Sequence, residues 1–208
     1  MKRHWVRRLF AGVGVLGMSA MVLQGCKKQT PSSKPAPETF TLNYSIFFPP
    51  THIQYKAAES WAMEVQTRTA GRVKIALHAG GSLIAPDKTF DGVMQGVADI
   101  GMSCFAYTRG HFPLLEGLDL PMGYPDGKTA TLVANEIITK YSPDELKDVH
   151  MLYVHAHGPG VLATKKPAPT LDDIKGLKIR ATGLSGKIVE KLGAVPVGMP
   201  QNETFEAL

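Results

Sequence analysis

Apolar positions follow two different spacings in the first half of the chain. Apolar and polar residues alternate over 40–46 and 73–77, which predicts two β-strands because successive strand side chains point to opposite faces. Between these segments, apolar residues at i, i+3 and i+4 spacing over 55–65 predict a helix. A second helical stripe at 90–97 and a short apolar segment at 100–103 follow. The order βαβαβ predicts a mostly parallel sheet with helices on its faces.

The pattern continues beyond residue 120 with shorter elements. Helical spacing over 130–141 predicts a further helix, and an apolar segment at 151–154 predicts a strand. A Gly-Pro-Gly sequence at 158–160 interrupts the pattern and predicts a crossing of the chain between two lobes. The remaining predicted elements are a strand within 177–180 after an acidic turn, a capped helix at 185–192, a strand at 195–197 and a last helix capped by Asn202.

The first residues have the organisation of an export signal. Four basic residues near the start precede an uncharged run at 9–23, and fifteen residues are short for a membrane span of about 20. The run ends in Leu-Gln-Gly-Cys at 23–26, which resembles the lipobox whose cysteine is lipidated after cleavage. We predict a signal peptide over 1–25, a lipidated Cys26 and a proline-rich tether over 26–38. A secretory signal without lipid and a retained membrane helix are the alternatives.

Charge and cysteine content narrow the possible functions. The net charge is +5, but four basic residues lie within the first eight, and without them the chain carries +1. A body so close to neutral has no basic surface for nucleic acid, so we expect no nucleic-acid partner. The two cysteines are Cys26 and Cys104, and a lipidated Cys26 leaves no intrachain disulfide. Cys104 is then either a buried, small apolar side chain or a reactive thiol.

Two motifs resemble catalytic sites, and neither is complete. His155 and His157 would share one face of a strand and could bind a metal ion, but no Cys, Asp or Glu follows within ten residues. Polar residues at a strand end or cleft lip are the alternative. The segment 183–187 resembles a phosphate loop, but Ala181 and Ile188 replace its first glycine and its hydroxyl residue. With no paired acid and base, we predict that the protein is not an enzyme and has no cofactor.

Arg180 has the position expected of a ligand-binding residue. It ends a predicted strand and precedes the start of a helix, and ligands of open α/β sheets bind at that edge. A guanidinium there can hold a carboxylate through two parallel hydrogen bonds, which a lysine cannot do. The alternative is a surface arginine paired with Asp172 or Asp173. The residues by themselves leave both interpretations open.

Several segments together resemble one protein family. They are Gly-Leu-Lys-Ile-Arg at 176–180, Gly-Ala-Val-Pro-Val at 193–197, Glu-Thr-Phe-Glu-Ala-Leu at 203–208, Gly-Val-Ala-Asp-Ile-Gly at 96–101 and Leu-Asp-Leu-Pro at 118–121. Their sequence and order are similar to those of the solute-binding subunits of tripartite ATP-independent periplasmic (TRAP) transporters, the DctP family. The resemblance covers about residues 40–208 and implies an α/β, two-lobed periplasmic-binding-protein fold of type II-like form, with mixed, mostly parallel sheets.

The family implies how such a protein works. A ligand cleft is expected between a first lobe at 39–157 and a second, partial lobe at 158–208. The function implied is capture of a small organic carboxylate, such as a C4-dicarboxylate or a 2-oxo or 2-hydroxy acid, for the small and large membrane subunits of the transporter. The implied location is the periplasm, with membrane anchoring through Cys26. Family members continue well past Leu208, so we expect a C-terminally truncated chain.

The family also implies particular ligand-binding residues. Arg180 matches the hallmark arginine that holds the carboxylate. By position, the cleft wall is expected to include Phe47, Phe48, Ser103, Cys104, Tyr107, Met199 and Gln201. Sialic-acid-binding members place a second arginine near the position of Gly160, and its absence favours a smaller or flatter acid. The competing hypotheses are a metal-dependent hydrolase that uses His155 and His157, and a ligand-sensing lipoprotein.

Overall fold

The computed structural model describes residues 38–208. The predicted signal peptide, the lipidated Cys26 and nearly all of the tether lie outside these residues and stay predictions. Within the described part of the chain, no helix is both long enough and apolar enough to cross a membrane.

The first half of the described chain forms a three-stranded parallel sheet, called the first sheet below. Strand β1 (Phe40–Ile46) leads through helix α1 (Ile53–Arg68) to β2 (Val73–His78), and helix α2 (Thr89–Met94) leads to β3 (Ile100–Met102). The strands lie in the order β2-β1-β3, and both pairings are parallel. The βαβαβ order predicted from the sequence is confirmed.

The central place of β1 follows from its composition. Its last three residues, Tyr44 to Ile46, are all buried, as expected of a strand covered on both faces. Ser45 and Ile46 are among the most completely enclosed side chains of the described residues. The core around them consists of Tyr44, Ile46, Phe47, Ala58 and Met102. The carboxyl end of β1 is therefore a fixed platform for the residues that follow it.

Two further helices and several single turns of 3-10 helix occur outside this sheet, and most of them pack around a second core. Helix α3 (Pro113–Glu116) is short, and helix α4 (Gly127–Tyr141) begins where the Asp126 carboxylate accepts a hydrogen bond from the Thr129 N–H at 2.7 Å. The second core consists of Phe112, Leu115 and Leu146. Single turns of 3-10 helix occur at Pro86–Lys88, Phe105–Tyr107, Gly117–Asp119, Asp144–Leu146 and Gln201–Glu203.

The strand predicted at 151–154 is wrong. The segment has no regular secondary structure, and its backbone pairs with side chains of α4 instead of with another strand. The Asn135 amide donates to the Val154 carbonyl at 2.7 Å and its Oδ1 accepts from the Val154 N–H at 3.3 Å. The Thr131 hydroxyl accepts from the Ala156 N–H at 2.9 Å. Apolar spacing predicted a strand, but it could not identify the partner of the segment's backbone groups.

The second half contains a two-stranded parallel sheet, called the second sheet below. Helix α5 (Leu171–Ile174) leads to β4 (Lys178–Arg180), and helix α6 (Leu184–Lys191) leads to β5 (Val195–Val197). The last helix is α7 (Thr204–Ala207). The buried residues around this sheet are Ile174, Ala181, Val189 and Ala194. The predicted strands at 177–180 and 195–197 are confirmed.

Two predicted helix caps in this half are wrong. The cap position of helix α6 is Gly183, which has φ +54° and no side chain to cap the helix, so Ser185 lies inside it. The Asn202 side chain does not cap the last helix. It lies instead near the carbonyl of Gly80, at 3.5 Å, beyond the end of β2. In both places, contacts between the two halves replace the local hydrogen bond that the sequence suggested.

Candidate functional site

Arg180 lies at the end of β4 with one edge of its guanidinium already held. Its Nε and Nη2 both donate to the carbonyl of Met199, at 3.0 and 2.9 Å. Met199 follows β5, the strand that pairs with β4. The paired strands therefore place both the arginine and the carbonyl that orients it.

The alternative interpretation of Arg180 as a surface residue paired with an aspartate is wrong. Asp172 pairs with Lys175 at 2.6 Å, and Asp173 accepts hydrogen bonds from the N–H and hydroxyl of Thr170. Both aspartates therefore belong to the start of α5. Within residues 38–208, the ion pairs are Lys175 with Asp172 and Arg68 with Glu64, so Arg180 takes part in none.

Tyr107 connects the first half to the second at this point. It ends a 3-10 turn after β3, and its hydroxyl accepts a hydrogen bond from the Gln201 N–H at 3.0 Å. Burial raises the pKa of the Tyr107 hydroxyl, and the Gln201 N–H and the Arg180 guanidinium lower it in part. Arg180 is therefore a neighbour of Tyr107 across the two halves. The side chain of Gln201 is exposed, so this residue contributes through its backbone.

Aromatic rings after β1 form a wall beside Tyr107. Phe47 is buried and meets the Tyr107 ring edge-on at 5.5 Å, and the Phe48 ring lies 4.0 Å from that of Phe47. His52 stacks on Phe48 at 3.9 Å with the ring planes nearly parallel, 5° apart. Its Nδ1 accepts a hydrogen bond from the Gln54 N–H at 3.2 Å and so caps α1. The sequence analysis did not single out His52. Its only signal was its place directly before a predicted helix, and histidine is not among the usual cap residues.

Two opposite charges act on the Cys104 thiol. Burial raises the pKa of the Cys104 thiol, the Ala106 N–H lowers it, and the charges of Asp119 and Arg180 act in opposite directions. The thiol is partly buried and protonated, so the interpretation of Cys104 as a small apolar side chain fits better than that of a reactive thiolate. Sequence reasoning did not single out Asp119 as a site residue; its only signal was its place in Leu-Asp-Leu-Pro at 118–121.

Gly183 marks a close approach between the halves. A β-carbon at this position would lie 2.9 Å from the Ala106 Cβ and 3.2 Å from the Asp119 Oδ2. Only a glycine fits there, because the space is occupied and the φ angle of +54° strains other residues. The Asp119 carboxylate thus contacts the loop that follows Arg180.

Ser103 was predicted to line the ligand cleft, but its hydroxyl bonds to a backbone carbonyl within the first half. Its hydroxyl donates to the Pro86 carbonyl at 2.5 Å, which joins β3 to the turn before α2. The contacts described above bring together Arg180, Met199, Gln201, Tyr107, Cys104, Phe47 and Phe48. Ser103 supports the backbone next to Cys104 and has its donor already in use.

The contacts of His155 and His157 are those of residues with a structural role. The His157 Nδ1 lies 2.6 Å from the Gly158 carbonyl, and both histidines are on the irregular segment that packs on α4. Desolvation lowers the pKa of His155, and His157 and His52 lower it further. No cluster of three or more His, Cys, Asp or Glu side chains with metal-binding geometry occurs among residues 38–208.

A shallow recess of about 490 Å³ is lined in part by Tyr107. Its lining carries both signs of charge, with Lys88 and Arg109 beside Asp87 and Asp91. Of the residues that line this recess, only Tyr107 was predicted to bind the ligand. Because its charges balance one another, it offers no selective site for an acid.

Comparison with known proteins identifies the family. The family model of bacterial extracellular solute-binding proteins, family 7 (DctP), matches residues 44–208, and the chain belongs to this family. The resemblance to TRAP-transporter solute-binding proteins and the two-lobed α/β fold class that it implied are confirmed.

Individual relatives support the same assignment. A TRAP periplasmic solute-binding protein from Desulfovibrio salexigens is 42% identical, with a TM-score of 0.67 over 83% of this chain and 54% of its own. A TRAP solute-binding protein from Rhodoferax ferrireducens, in complex with copurified benzoate, is 31% identical, with a TM-score of 0.75 over 81% and 54%. The 2,3-diketo-L-gulonate-binding periplasmic protein of Escherichia coli is 29% identical over 76% of this chain and 50% of its own. The chain spans about half the length of these relatives.

Proposed function

We propose that this protein is the solute-binding subunit of a TRAP-type transporter and captures a small organic acid through its carboxylate. The observation that carries the proposal is the guanidinium of Arg180, whose plane is fixed by the carbonyl of Met199. Its remaining N–H donors are thereby oriented before a ligand arrives. Such pre-orientation reduces the entropy lost on binding, and a charged, planar donor pair suits a carboxylate.

The aromatic side of the site favours a flat acid. Phe47 and His52 pack against the Phe48 ring, and Tyr107 meets Phe47 edge-on, so the aromatic wall is rigid. Rings of this kind bury much apolar area at a low entropy cost. A second carboxylate placed against these rings would lose hydration without a charged partner. Among the acids expected from the sequence, a 2-oxo or 2-hydroxy monocarboxylate therefore suits the site better than a C4-dicarboxylate. In support, benzoate and 2,3-diketo-L-gulonate, named for two relatives, each carry one carboxylate.

The proposed partners are the small and large membrane subunits of the transporter. The proposed location is the periplasm, with anchoring to the membrane through a lipidated Cys26. The family description supports an extracytoplasmic location, and the sequence at 23–26 supports the anchor.

Two alternatives differ in their support. The metal-dependent hydrolase lacks a third ligand near His155 and His157 among the described residues, and the relatives are solute-binding proteins and not enzymes. The ligand-sensing lipoprotein shares the same binding step. It would be favoured if the protein bound an acid but did not associate with the membrane subunits.

Calorimetric titration tests the proposed role of Arg180. The protein would be titrated with benzoate and with a set of 2-oxo and 2-hydroxy acids. Removing one partner of a desolvated charge pair costs about 2–5 kcal/mol, so we expect Arg180→Ala to weaken binding roughly 30-fold or more. Arg180→Lys keeps the charge but loses the planar donor pair, and we expect it to weaken binding more than about tenfold.

Lys178→Ala is the matched control, because Lys178 is an exposed basic residue of the same strand. We expect its affinity to equal that of the wild type. If the three variants and the wild type bound the best acid within threefold of one another, Arg180 would not be the carboxylate-binding residue.

A further inference from the structure

We propose that Asp119 is a second specificity-determining residue, which accepts a hydrogen bond from a hydroxyl or N–H group of the bound acid and disfavours a second carboxylate. This inference rests on the proposed function and names the class of acid that the site selects. The acid would be a monocarboxylate with a hydrogen-bond donor elsewhere on its body.

The position of Asp119 carries the first step. Asp119 ends the 3-10 turn Gly117–Asp119 in the first half of the chain, and its Oδ2 lies against Gly183 of the second half, 3.2 Å from where a β-carbon would be. Gly183 follows Arg180 by three residues and occupies the cap position of α6. The carboxylate therefore reaches across to the loop that starts at the proposed acid-binding arginine.

The second step concerns the charges. No ion pair within 4.0 Å joins Asp119 or Arg180 to any partner among residues 38–208. Both charges nevertheless act on the thiol of Cys104, where Asp119 raises the pKa and Arg180 lowers it. Contacts place the two groups around one short stretch of chain. The Asp119 carboxylate lies against Gly183, whose β-carbon position is 2.9 Å from that of Ala106, and Arg180 is held by the carbonyl of Met199, two residues before the Gln201 N–H that bonds to Tyr107. Because Ala106 and Tyr107 are consecutive, the carboxylate and the guanidinium border the same region between the two halves without a direct bond.

The chemistry of a complementary ligand follows. A carboxylate bound to Arg180 would neutralise the guanidinium. The Asp119 carboxylate would then require a hydrogen-bond donor from the ligand. A hydroxyl or N–H group at that place would form a charge-assisted hydrogen bond with Asp119. A second carboxylate there would face the like charge of Asp119. Asp119 is an exposed residue, and the pKa of its carboxyl is raised by partial burial and lowered in part by His157. The site would therefore favour acids with a hydrogen-bond donor at this place over acids with a second carboxylate there.

A purely structural role for Asp119 predicts a different outcome. Its carboxylate lies near the first turn of α6 and could simply stabilise that helix end. Asparagine is as good as aspartate at such positions. A structural role would therefore leave Asp119→Asn near the wild type, or change its affinity for every acid by the same factor, whereas selection changes the ratio between acids.

The experiment compares acids that share one ring. Benzoate, the three hydroxybenzoates and isophthalate would be titrated into the wild type, Asp119→Asn and Asp119→Ala. Hydrogen bonds to charged groups typically contribute about 1.5–3 kcal/mol, so we expect the best hydroxybenzoate to bind the wild type about tenfold or more tightly than benzoate. Asp119→Ala should lose this preference, and Asp119→Asn, whose amide oxygen still accepts a hydrogen bond but carries no charge, should keep only part of it. Isophthalate should gain about tenfold relative to benzoate in Asp119→Asn.

Asp144→Asn serves as the control, because Asp144 is an exposed aspartate in another 3-10 helix, and it should keep the wild-type preferences. Thermal unfolding of each variant checks that it is folded. Equal binding of benzoate and all hydroxybenzoates by the wild type, or a uniform change in Asp119→Asn, would overturn this inference while leaving the proposed function intact. If the wild type bound none of these acids and none of the 2-oxo or 2-hydroxy acids, the proposed function would fall together with it.

Discussion

The first sheet buries large side chains around its central strand, including Tyr44, Ile46 and Phe47, whereas the second sheet buries one isoleucine, one valine and two alanines. Buried apolar area is the main stabilising contribution to folding, so more of the stability comes from the first sheet. The first sheet has three strands and the second two strands of three residues each. We infer that the half with the first sheet is the more rigid and that the half with the second sheet changes conformation more easily.

The candidate site repeats this difference. Its aromatic wall, with Phe47, Phe48 and Tyr107, follows the strands of the first sheet. Its charged group, Arg180, belongs to the second sheet and is oriented by a single backbone carbonyl. The shape of the candidate site is thus determined by the well-packed half, and the charge that we propose recognises the acid is supplied by the lightly packed half. A solute-binding protein that closes on its ligand requires one part to move relative to another, and a lightly packed unit is suited to that role.

The largest expected effect tests the stability of the two sheets. Ile46 is 0% exposed, so Ile46→Ala leaves a cavity, and we expect the free energy of unfolding to fall by about 2–5 kcal/mol. Val189→Ala in α6 removes less apolar volume from a looser environment, and we expect a loss of about 1–2 kcal/mol. Urea unfolding followed by circular dichroism measures both. An equal or larger loss for Val189→Ala would show that the second sheet is as important for stability as the first.

The next effect tests the contact between the two halves. Gly183→Ala introduces a β-carbon 2.9 Å from that of Ala106 at a φ of +54°, so both the packing and the backbone oppose it. We expect it to lower the free energy of unfolding by about 1–3 kcal/mol. It should also weaken binding of the best acid, because the displaced loop begins at Arg180. Thermal unfolding and calorimetric titration provide the two measurements.

Gly117→Ala is the matched control for this substitution. Gly117 has φ −60°, and a β-carbon there would meet nothing within 4 Å, so alanine should be neutral or slightly stabilising. If Gly183→Ala and Gly117→Ala had equal stabilities and affinities, the close approach of Asp119 and Ala106 to Gly183 would have no energetic importance.

The strands predicted correctly from the sequence, at 40–46, 73–77, 100–103, 177–180 and 195–197, have an apolar pattern of their own and pair with other strands. The segment 151–154 failed because its backbone groups are satisfied by Asn135 and Thr131, whose role depends on how α4 packs. Local apolar spacing contains no information about such a partner.

The candidate site shows the same limit. Arg180 could be found because a strand end before a helix is a recognisable position, and the family resemblance added the aromatic residues. The orienting carbonyl of Met199 could not be found, since any residue has a carbonyl. Asp119 and His52 were missed because their importance arises from contacts with Gly183 and Phe48, which require the folded chain. The lobe boundary at 157/158 stays a prediction.

The smallest expected effect concerns His155, on the segment between the two sheets. Desolvation lowers its pKa from 6.5, and His157 and His52 lower it further. The unfolded chain therefore binds a proton more readily than the folded chain below about pH 6.5, so stability should fall as the pH falls through this window. The effect is modest because the ring is exposed and screened by solvent. His155→Gln should flatten the fall in urea midpoint between pH 7 and pH 5, and the variant and the wild type should differ by a constant amount from pH 7 to pH 8, where the imidazole is neutral in both states. An unchanged slope in His155→Gln would show that the segment 151–157 does not respond to pH through this residue and that any loss of stability in acid comes from other groups.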